Sequence, residues 1–268
     1  MADIEFKGRL ISYDVAEAKL PWAESAPAIV FVHGIGADRE IWSGWRQVLA
    51  GHYRTVALDM PGHGQSFRPG ADLDWDIHDL ANMVVAVARD AGAERYILIG
   101  ESMGGTTCLV AAAGNPDVAA IGTCSTAHIG GTLGHVQGWR NLMTEQGLEA
   151  WSKDMIMKRF TSWQTSDEER DWFHNAQMAS DGETILQLAD VLVGLDFTER
   201  LAEIKCPVLL MHPDSSPFIP LEIPVQLKNG LPDAEMMVIP GARHGIALSH
   251  AHQCAGAVAD FIRRREVA

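Results

Sequence analysis

Long hydrophobic runs and an excess of positive charge are both missing from this chain of 268 residues. No stretch approaches the ~20 consecutive apolar residues of a transmembrane helix, and the first seven residues contain no apolar signal core. We therefore expect a cytoplasmic protein. The chain has 21 Lys and Arg against 35 Asp and Glu, a formal net charge of −14, which argues against nucleic acid and anionic membranes as partners.

Cysteine and the motifs of bound cofactors are also scarce. The four cysteines lack the spacing of metal ligands, which favours buried thiols in a reducing compartment. The pair His250 and His252 has a spacing that splays the two rings apart in a helix, which argues against a metal site. Gly34 and Gly36 lack the third glycine and the acidic partner of a dinucleotide site. We therefore expect no cofactor and no metal.

What the sequence does contain is a G-x-S-x-G pentapeptide centred on Ser102. It follows a short apolar run and precedes a predicted helix over residues 102–113. A serine on such a strand-to-helix turn takes strained backbone angles, and Gly100 and Gly104 leave room for the tight bend. The turn would lift the Ser102 hydroxyl out of the sheet, toward the positive end of the helix. Ser102 is the candidate nucleophile.

A second segment could stabilise an anion formed at that serine. The predicted strand 28–32 runs into His33-Gly34-Ile35-Gly36. A glycine turn at the end of a strand can aim backbone N–H groups at an oxyanion, and no side chain is needed for that. We predict that the donors are the amides of Ile35 and of Met103, the residue after Ser102.

The candidate general base lies near the end of the chain. The predicted strand 237–239 runs into a loop that carries one histidine, His244, before the terminal helix predicted over residues 248–264. Neutral imidazole can take the serine proton near pH 7. The position of His244, after the last strand, distinguishes it from the other ten histidines.

Together these segments resemble those of the α/β-hydrolase superfamily, over nearly the full length of the chain. Besides the elbow, the matching segments are residues 33–36, 58–66, 207–211 and 241–244. The resemblance implies an α/β fold, with a mostly parallel, eight-stranded sheet flanked by helices on both faces. It also implies that the Pro-Gly-His-Gly turn at 61–64 is a fold marker, and we interpret His33 and His63 as structural.

One part of the family pattern is different here. Members usually carry a triad acid in the loop after the strand that here spans 208–211, in a form similar to Gly-x-x-Asp-x-x-x-Pro. Ser216 holds the aspartate position and Pro213 the glycine position. A serine cannot stabilise imidazolium by charge. The nearest acid, Asp214, is our predicted third catalytic residue. The alternative is an arrangement without a carboxylate, around Ser216 or around Ser125, which follows a strand predicted at about 119–123.

Strand and helix patterns alternate through most of the sequence. Residues 4–7 and 10–13 predict an opening hairpin, and the amphipathic run 76–91 predicts a helix. Such alternation is typical of a mostly parallel sheet covered on both faces, with catalytic loops at the carboxyl ends of its strands. Between about 128 and 196, helical segments rich in Trp and Met replace the alternation. We predict a core formed by 1–127 and 197–268 and a helical cap formed by 128–196.

The predicted cap would cover Ser102. It begins at Gly130, Gly131 and Gly134, which we interpret as flexible. Most of its aromatic side chains are expected to hold the cap together, and a minority to face an apolar pocket able to bind an acyl, ring or lactone group. The substrate-binding candidates are Trp139, Trp151 and Trp163.

These observations favour a serine hydrolase that cleaves a carboxylic ester or lactone of a small apolar or cyclic substrate through an acyl-enzyme on Ser102. Three alternatives stay open: an amidase, a carbon–carbon bond hydrolase, and a small-molecule binding protein with weak turnover. The missing aspartate favours the binding protein, and the intact elbow with His244 argues against it. The expected partner is a small-molecule substrate, and a homodimer is left open.

Overall fold

Eight strands form one sheet in the part of the chain that the structure describes. The structure is a computed structural model and describes residues 1–17, 20, 26–131 and 136–267. The strands are β1 (Ala2–Phe6), β2 (Arg9–Ala16), β3 (Ala28–Val32), β4 (Thr55–Leu58), β5 (Tyr96–Glu101), β6 (Val118–Cys124), β7 (Val208–Pro213) and β8 (Ala234–Ile239). Their order is β1-β2-β4-β3-β5-β6-β7-β8. β2 pairs antiparallel with β1 and β4, and the strands from β3 to β8 pair in parallel.

The predicted fold class is confirmed, and helices pack on both faces of this sheet. The α-helices of the described ranges are α1 (Ser43–Leu49), α2 (Ile77–Asp90), α3 (Met103–Ala112), α4 (Val136–Arg159), α5 (Asp167–Met178), α6 (Gly182–Val193), α7 (Glu222–Gly230), α8 (Ile246–Ser249) and α9 (Ala251–Arg264). Three short 3₁₀ helices span Arg39–Trp42, Gly70–Asp72 and Thr198–Glu203. Along β3, Val30 and Val32 belong to one buried cluster and Ile29 and Phe31 to another, as expected where successive side chains point to opposite faces.

Local sequence signals account for the α2 helix. The Asp76 side chain accepts hydrogen bonds from two amides of the first turn, and Asp79 bonds back to the Asp76 amide, so the helix begins with a capping box. The apolar stripe predicted from the sequence is buried along one face: Ile77, Leu80, Val84 and Val87. This confirms the predicted helix, and β1 with β2 confirms the predicted hairpin.

The helices α4, α5 and α6 lie between β6 and β7, as the sequence predicts. We call residues 128–196 the helical insertion. Its two ends meet at a β-bridge between Ile129 and Asp196, and the Phe197 amide donates to the His128 carbonyl at 2.9 Å. The division of the chain into two domains stays a prediction. In the described ranges, no helix combines the length and apolar character needed to span a bilayer.

The interpretation of Gly130 as a flexible residue is wrong. Gly130 is buried, and its amide donates to the Leu195 carbonyl at 2.7 Å. A Cβ on Gly130 would lie 1.6 Å from the Leu192 carbonyl oxygen, so glycine serves close packing at this position. Gly131 is exposed with no atom near an added Cβ, and Gly134 lies outside the described residues.

Candidate active site

The strand, turn and helix predicted around Ser102 are present. Ser102 lies between β5 and α3 with φ 54° and ψ −119°, a left-handed conformation that costs a non-glycine residue about 1–3 kcal/mol. A Cβ on Gly104 would lie 2.1 Å from the Val32 carbonyl oxygen, and one on Gly100 would lie 2.5 Å from the Gly104 backbone. Gly104 is therefore required for α3 to pack against the end of β3, and Gly100 is required for β5 to approach the first turn of α3.

His244 reaches the Ser102 side chain as predicted. Its Nε2 lies 3.0 Å from Ser102 Oγ. The backbone of the His244 loop is fixed by Ser125, whose hydroxyl donates to the His244 carbonyl at 2.6 Å. Burial lowers the pKa of His244 well below its ordinary value of 6.5, and the positive charge of Arg159 and the neighbouring His212 lower it further. The imidazole is therefore neutral at pH 7.

On the other side of the imidazole the structure places Ser216. Its Oγ lies 3.1 Å from His244 Nδ1 and accepts hydrogen bonds from the amides of Phe218 at 3.3 Å and Ile219 at 3.2 Å. Of the two arrangements without a carboxylate, the one around Ser216 is present. Ser125 contacts only the backbone of His244, as described above.

The prediction that Asp214 is the triad acid is wrong. Its carboxylate is exposed and accepts hydrogen bonds at 2.8 Å from the Gly241 amide and from the Ser215 hydroxyl. Asp214 therefore caps the turn after β8, where Gly241 has φ 70°, and leaves the ring of His244 to Ser216.

A buried ion pair beside the elbow was not predicted. Arg159, at the end of α4, lies with Nη1 3.5 Å from Glu101 Oε1 and donates from Nη2 to the Ile35 carbonyl at 2.7 Å. Both side chains are at most 2% exposed. Burial raises the pKa of Glu101, and the positive charge of Arg159 opposes that shift. The glutamate inside a buried strand was a sequence signal for a cationic partner, but no pattern in the sequence identifies Arg159.

His33 and His63 are structural, as interpreted from the sequence. His33 Nε2 accepts from the Met60 amide and His63 Nε2 from the Gly36 amide, both at 2.9 Å. Each Nδ1 in turn donates to a backbone carbonyl at 2.8 Å. Burial lowers the pKa of His33 to about 4 and that of His63 to about 3, so both are neutral at pH 7. They fix the turn that carries Ile35.

A pocket opens onto Ser102 and His244 between the core and the helical insertion. Its empty volume, counted with the space that is open to solvent, is about 460 Å³. Most of its lining is apolar, and the residues concerned are Ile35, Val136, Trp139, Ala189, Leu192, Phe218 and Ile219. Arg159 is the charged residue among those that line it within the described chain.

The three tryptophans predicted to bind substrate occupy different environments. Trp139 lines the pocket. Trp151 is fully buried behind Trp139, with the two rings 5.8 Å apart, and packs over Gly36. It is not among the residues that line the pocket, so its prediction as a substrate-binding residue is wrong. Trp163 is 71% exposed and lies beside Gly241, so its prediction as a pocket residue is wrong. Phe218 is a pocket residue that the sequence analysis missed.

The predicted oxyanion donors flank the serine. Ile35 lines the pocket together with Ser102, and Met103 lines an adjoining pocket with the same serine. Their role as donors stays a prediction. Among the residues that the structure describes, no three His, Cys, Asp or Glu side chains are grouped so that they could hold a metal ion.

Comparisons with known proteins agree with this architecture. A family model described as alpha/beta hydrolase fold matches residues 27–251. The AB hydrolase superfamily protein YisY of Bacillus subtilis is 26% identical over 244 residues, covering 87% of this chain and 90% of YisY. The (E)-2-((N-methylformamido)methylene)succinate hydrolase of Acinetobacter baylyi is 24% identical, covering 82% of this chain and 84% of that protein.

Among solved structures, the enol-lactonase of Burkholderia xenovorans LB400 is similar in fold. It superimposes with a TM-score of 0.88 at 21% sequence identity and covers 98% of this chain and 100% of the lactonase. At this level of identity the likeness concerns the fold. The match of the family model to most of the sequence shows that the chain belongs to the alpha/beta hydrolase family.

Proposed function

We propose that this chain is a serine hydrolase that cleaves a carboxylic ester or lactone through an acyl-enzyme on Ser102. The observation that supports it best is the 3.0 Å separation of Ser102 Oγ and His244 Nε2, at a serine held with positive φ. Strained backbone of this kind persists only where the surrounding structure over-determines it, and it is concentrated at functional sites. A nucleophile within hydrogen-bond reach of a base is the signature of covalent catalysis.

In the acylation step, His244 Nε2 takes the Ser102 proton while Oγ bonds to the substrate carbonyl carbon. The carbonyl oxygen becomes an oxyanion, which the amides of Ile35 and Met103 would stabilise together with the amino end of α3. The imidazolium then gives its proton to the leaving oxygen as the C–O bond breaks. Water, deprotonated by the same histidine, releases the acyl group and restores Ser102.

The pocket sets the proposed substrate class. Because its lining is mostly apolar and its volume is small, the pocket fits a small acyl group or lactone ring whose own surface is mostly uncharged. In this proposal the helical insertion acts as a cap, since Trp139 and Leu192 approach the same space as Ser102. Neutral His244 is available as a base at pH 7 because burial disfavours its charged form.

Active-site labelling tests the proposal. A fluorophosphonate probe is expected to label the wild-type protein on Ser102 and to leave Ser102→Ala unlabelled. Turnover of the best substrate in a panel of short p-nitrophenyl esters, lactones and anilides is expected to fall by about 10³-fold or more in Ser102→Ala. Ser215→Ala, which removes an exposed hydroxyl next to Asp214, is the matched control and is expected to retain labelling and turnover. Full activity in Ser102→Ala would end the serine-hydrolase proposal.

The panel also separates the alternatives. Preference for anilides would indicate an amidase, and cleavage of a vinylogous diketone would indicate a carbon–carbon hydrolase. One observation favours a binding protein with weak turnover: His244 Nδ1 contacts the hydroxyl of Ser216, with no carboxylate bonded to the ring among the described residues. Tight binding of a lactone by Ser102→Ala and by the wild type, with negligible turnover by either, would support that candidate.

A further inference from the structure

The hydroxyl of Ser216 is surrounded by three nitrogen atoms. The amides of Phe218 and Ile219 both donate to its oxygen, at 3.3 Å and 3.2 Å, and the third nitrogen is His244 Nδ1 at 3.1 Å. A hydroxyl group has two lone pairs to accept hydrogen bonds and a single proton to donate. The two amides use both lone pairs, so the proton is the group that remains for Nδ1.

We infer that Ser216 donates its proton to His244 Nδ1 and thereby holds the resting imidazole in the tautomer protonated at Nε2. A neutral imidazole carries one N–H, so an Nδ1 that accepts requires an Nε2 that donates. The opposite tautomer would direct three N–H groups at one oxygen that has two lone pairs, and the Ser216 proton would need a different acceptor. Ser216 is thus a positioning residue for His244.

This inference rests on the proposed function and changes how the resting site is described. An Nε2 that already carries a proton donates to Ser102 Oγ at 3.0 Å and cannot take the serine proton. Acylation then proceeds through the minor tautomer, in which the proton has moved from Nε2 to Nδ1 and Ser216 has turned its own proton away. The rate of acylation is lowered by the fraction of molecules in that minor form.

In the loop after β7, the nitrogen atoms around Ser216 are arranged as they would be around a carboxylate, although the side chain there is a hydroxyl. An aspartate at position 216 could accept from both amides and from Nδ1–H, since an ionised carboxylate has acceptors only. The charged and titratable groups around His244 supply no substitute: Arg159 and His212 both lower its pKa, and Glu101 is bonded to Arg159. Ser216→Asp is therefore the variant that reverses the tautomer.

Nitrogen NMR of the whole 268-residue chain tests the tautomer directly and requires no turnover. In protein labelled with ¹⁵N-histidine, the His244 signals are identified among the eleven histidines by their loss in His244→Gln. Two-bond ¹H–¹⁵N correlations are expected to show Nε2–H in the wild type and Nδ1–H in Ser216→Asp. The matched control is Ser215→Asp, which adds the same charge at an exposed neighbour and is expected to retain Nε2–H. An Nδ1–H imidazole in the wild type would overturn the inference.

Ser216→Ala covers the case in which the aspartate variant fails to fold. Removal of the hydroxyl abolishes the donor to Nδ1, so the His244 signals are expected to leave the pure Nε2–H pattern. If Ser216 only supports the loop, the alanine variant will lose thermal stability while its Nε2–H pattern stays unchanged. That result would contradict the assigned role.

Kinetics provide a second readout. Ser216→Asp is expected to raise kcat by about 10²-fold or more with little change in KM, since loss of a triad aspartate costs about 10⁴ in kcat in serine proteases. The acid limb of its pH–rate profile is expected to move to higher pH, because the new carboxylate raises the pKa of His244. An unchanged kcat and profile in a folded Ser216→Asp would contradict the inference. Fluorophosphonate labelling of Ser102 reports on the proposed function separately, so the two failures are distinguishable.

Discussion

Two loops contact the imidazole of His244 from opposite sides, and they differ in how tightly they constrain the side chain that makes the contact. The loop after β5 holds Ser102 so tightly that a single Cβ at Gly104 would collide with β3, and a buried ion pair lies beside it. The loop after β7 contacts the His244 ring with the hydroxyl of Ser216 and with the ring of Phe218, and the carboxylate of Asp214 in this loop bonds instead to the Gly241 amide. Among the described residues, Ser102 thus lies within hydrogen-bond reach of an imidazole that has no carboxylate bonded to its other nitrogen. The position of the serine and the presence of such a carboxylate are therefore separable within one fold.

Loss of the buried cation should disturb the elbow side most. Arg159→Met leaves Glu101 buried without its partner and frees the Ile35 carbonyl, so we expect a loss of about 3–5 kcal/mol in the free energy of unfolding, measured by urea denaturation. Lys153→Met, which breaks an exposed pair with Glu149 on the same helix, is the control and is expected to change stability by less than about 1 kcal/mol. Equal losses of unfolding free energy in the two variants would mean that the buried pair contributes no more to stability than the exposed pair. Recovery of stability in the Glu101→Gln, Arg159→Met double variant would show that the unpaired charge is the cause.

A methyl group at the elbow should have the next largest effect. Gly104→Ala forces β3 and α3 apart, and we expect it to lower the free energy of unfolding by at least the ~1–3 kcal/mol of ordinary overpacking, because the atom it meets belongs to the backbone. Gly138→Ala is the matched control. No atom lies within 4 Å of an added Cβ there, and alanine in α4 is expected to be neutral or to add up to about 1 kcal/mol. A Gly104→Ala protein with unchanged melting temperature would show that the elbow is less constrained than its contacts indicate.

The third prediction compares the tryptophan that lines the pocket, Trp139, with the exposed Trp163. Trp139→Phe enlarges the space beside Ser102, and we expect kcat/KM to shift by about tenfold in favour of a longer acyl chain, about the value of one or two methylenes in an apolar pocket. Trp163→Phe changes an exposed ring, so its acyl-chain preference is expected to match the wild type. Chain-length series of p-nitrophenyl esters measure both. A larger shift of acyl-chain preference in Trp163→Phe than in Trp139→Phe would indicate that the substrate binds outside this pocket.

The smallest effect is expected on the loop after β7. Asp214→Asn keeps an oxygen that can accept from the Gly241 amide, and its side chain does not bond to the imidazole, so kcat should stay within about tenfold of the wild type. Steady-state kinetics on the best ester of the panel measure this. A loss of three to four decades with unchanged KM would restore Asp214 as the acid and would require the loop to rearrange during catalysis.

The parts of the site predicted from the sequence are those that local sequence determines. Ser102 could be placed because a strand, a glycine pair and a helix in succession permit one kind of turn. His244 could be placed because it follows the last strand, and parallel strands bring their carboxyl ends to one edge of the sheet. The helices that follow Ser102 and His244, predicted over 102–113 and 248–264, were found at Met103–Ala112 and Ala251–Arg264.

The parts that were wrong depend on tertiary contacts. Asp214 is recruited by the amide of Gly241 from the neighbouring turn, which the pattern of its own loop does not reveal. The helical insertion posed a different difficulty, since α4 is interrupted at Gly147 with φ 83°. That break changes the rotation of the helix between Trp139 and Trp151, so spacing along the sequence could not predict which ring lines the pocket.

The bridge between Ile129 and Asp196 has a consequence for how such a protein can diversify. Because the two ends of the helical insertion lie side by side, the whole segment can be exchanged for another of different length without altering the path of the core. The part of the pocket wall that contains Trp139 and Leu192 is then inherited as one contiguous segment, while Ser102, Ile35 and Phe218 are inherited with the core. Arg159 sets the condition for such an exchange: any replacement must bring a cation to Glu101 or remove the glutamate with it.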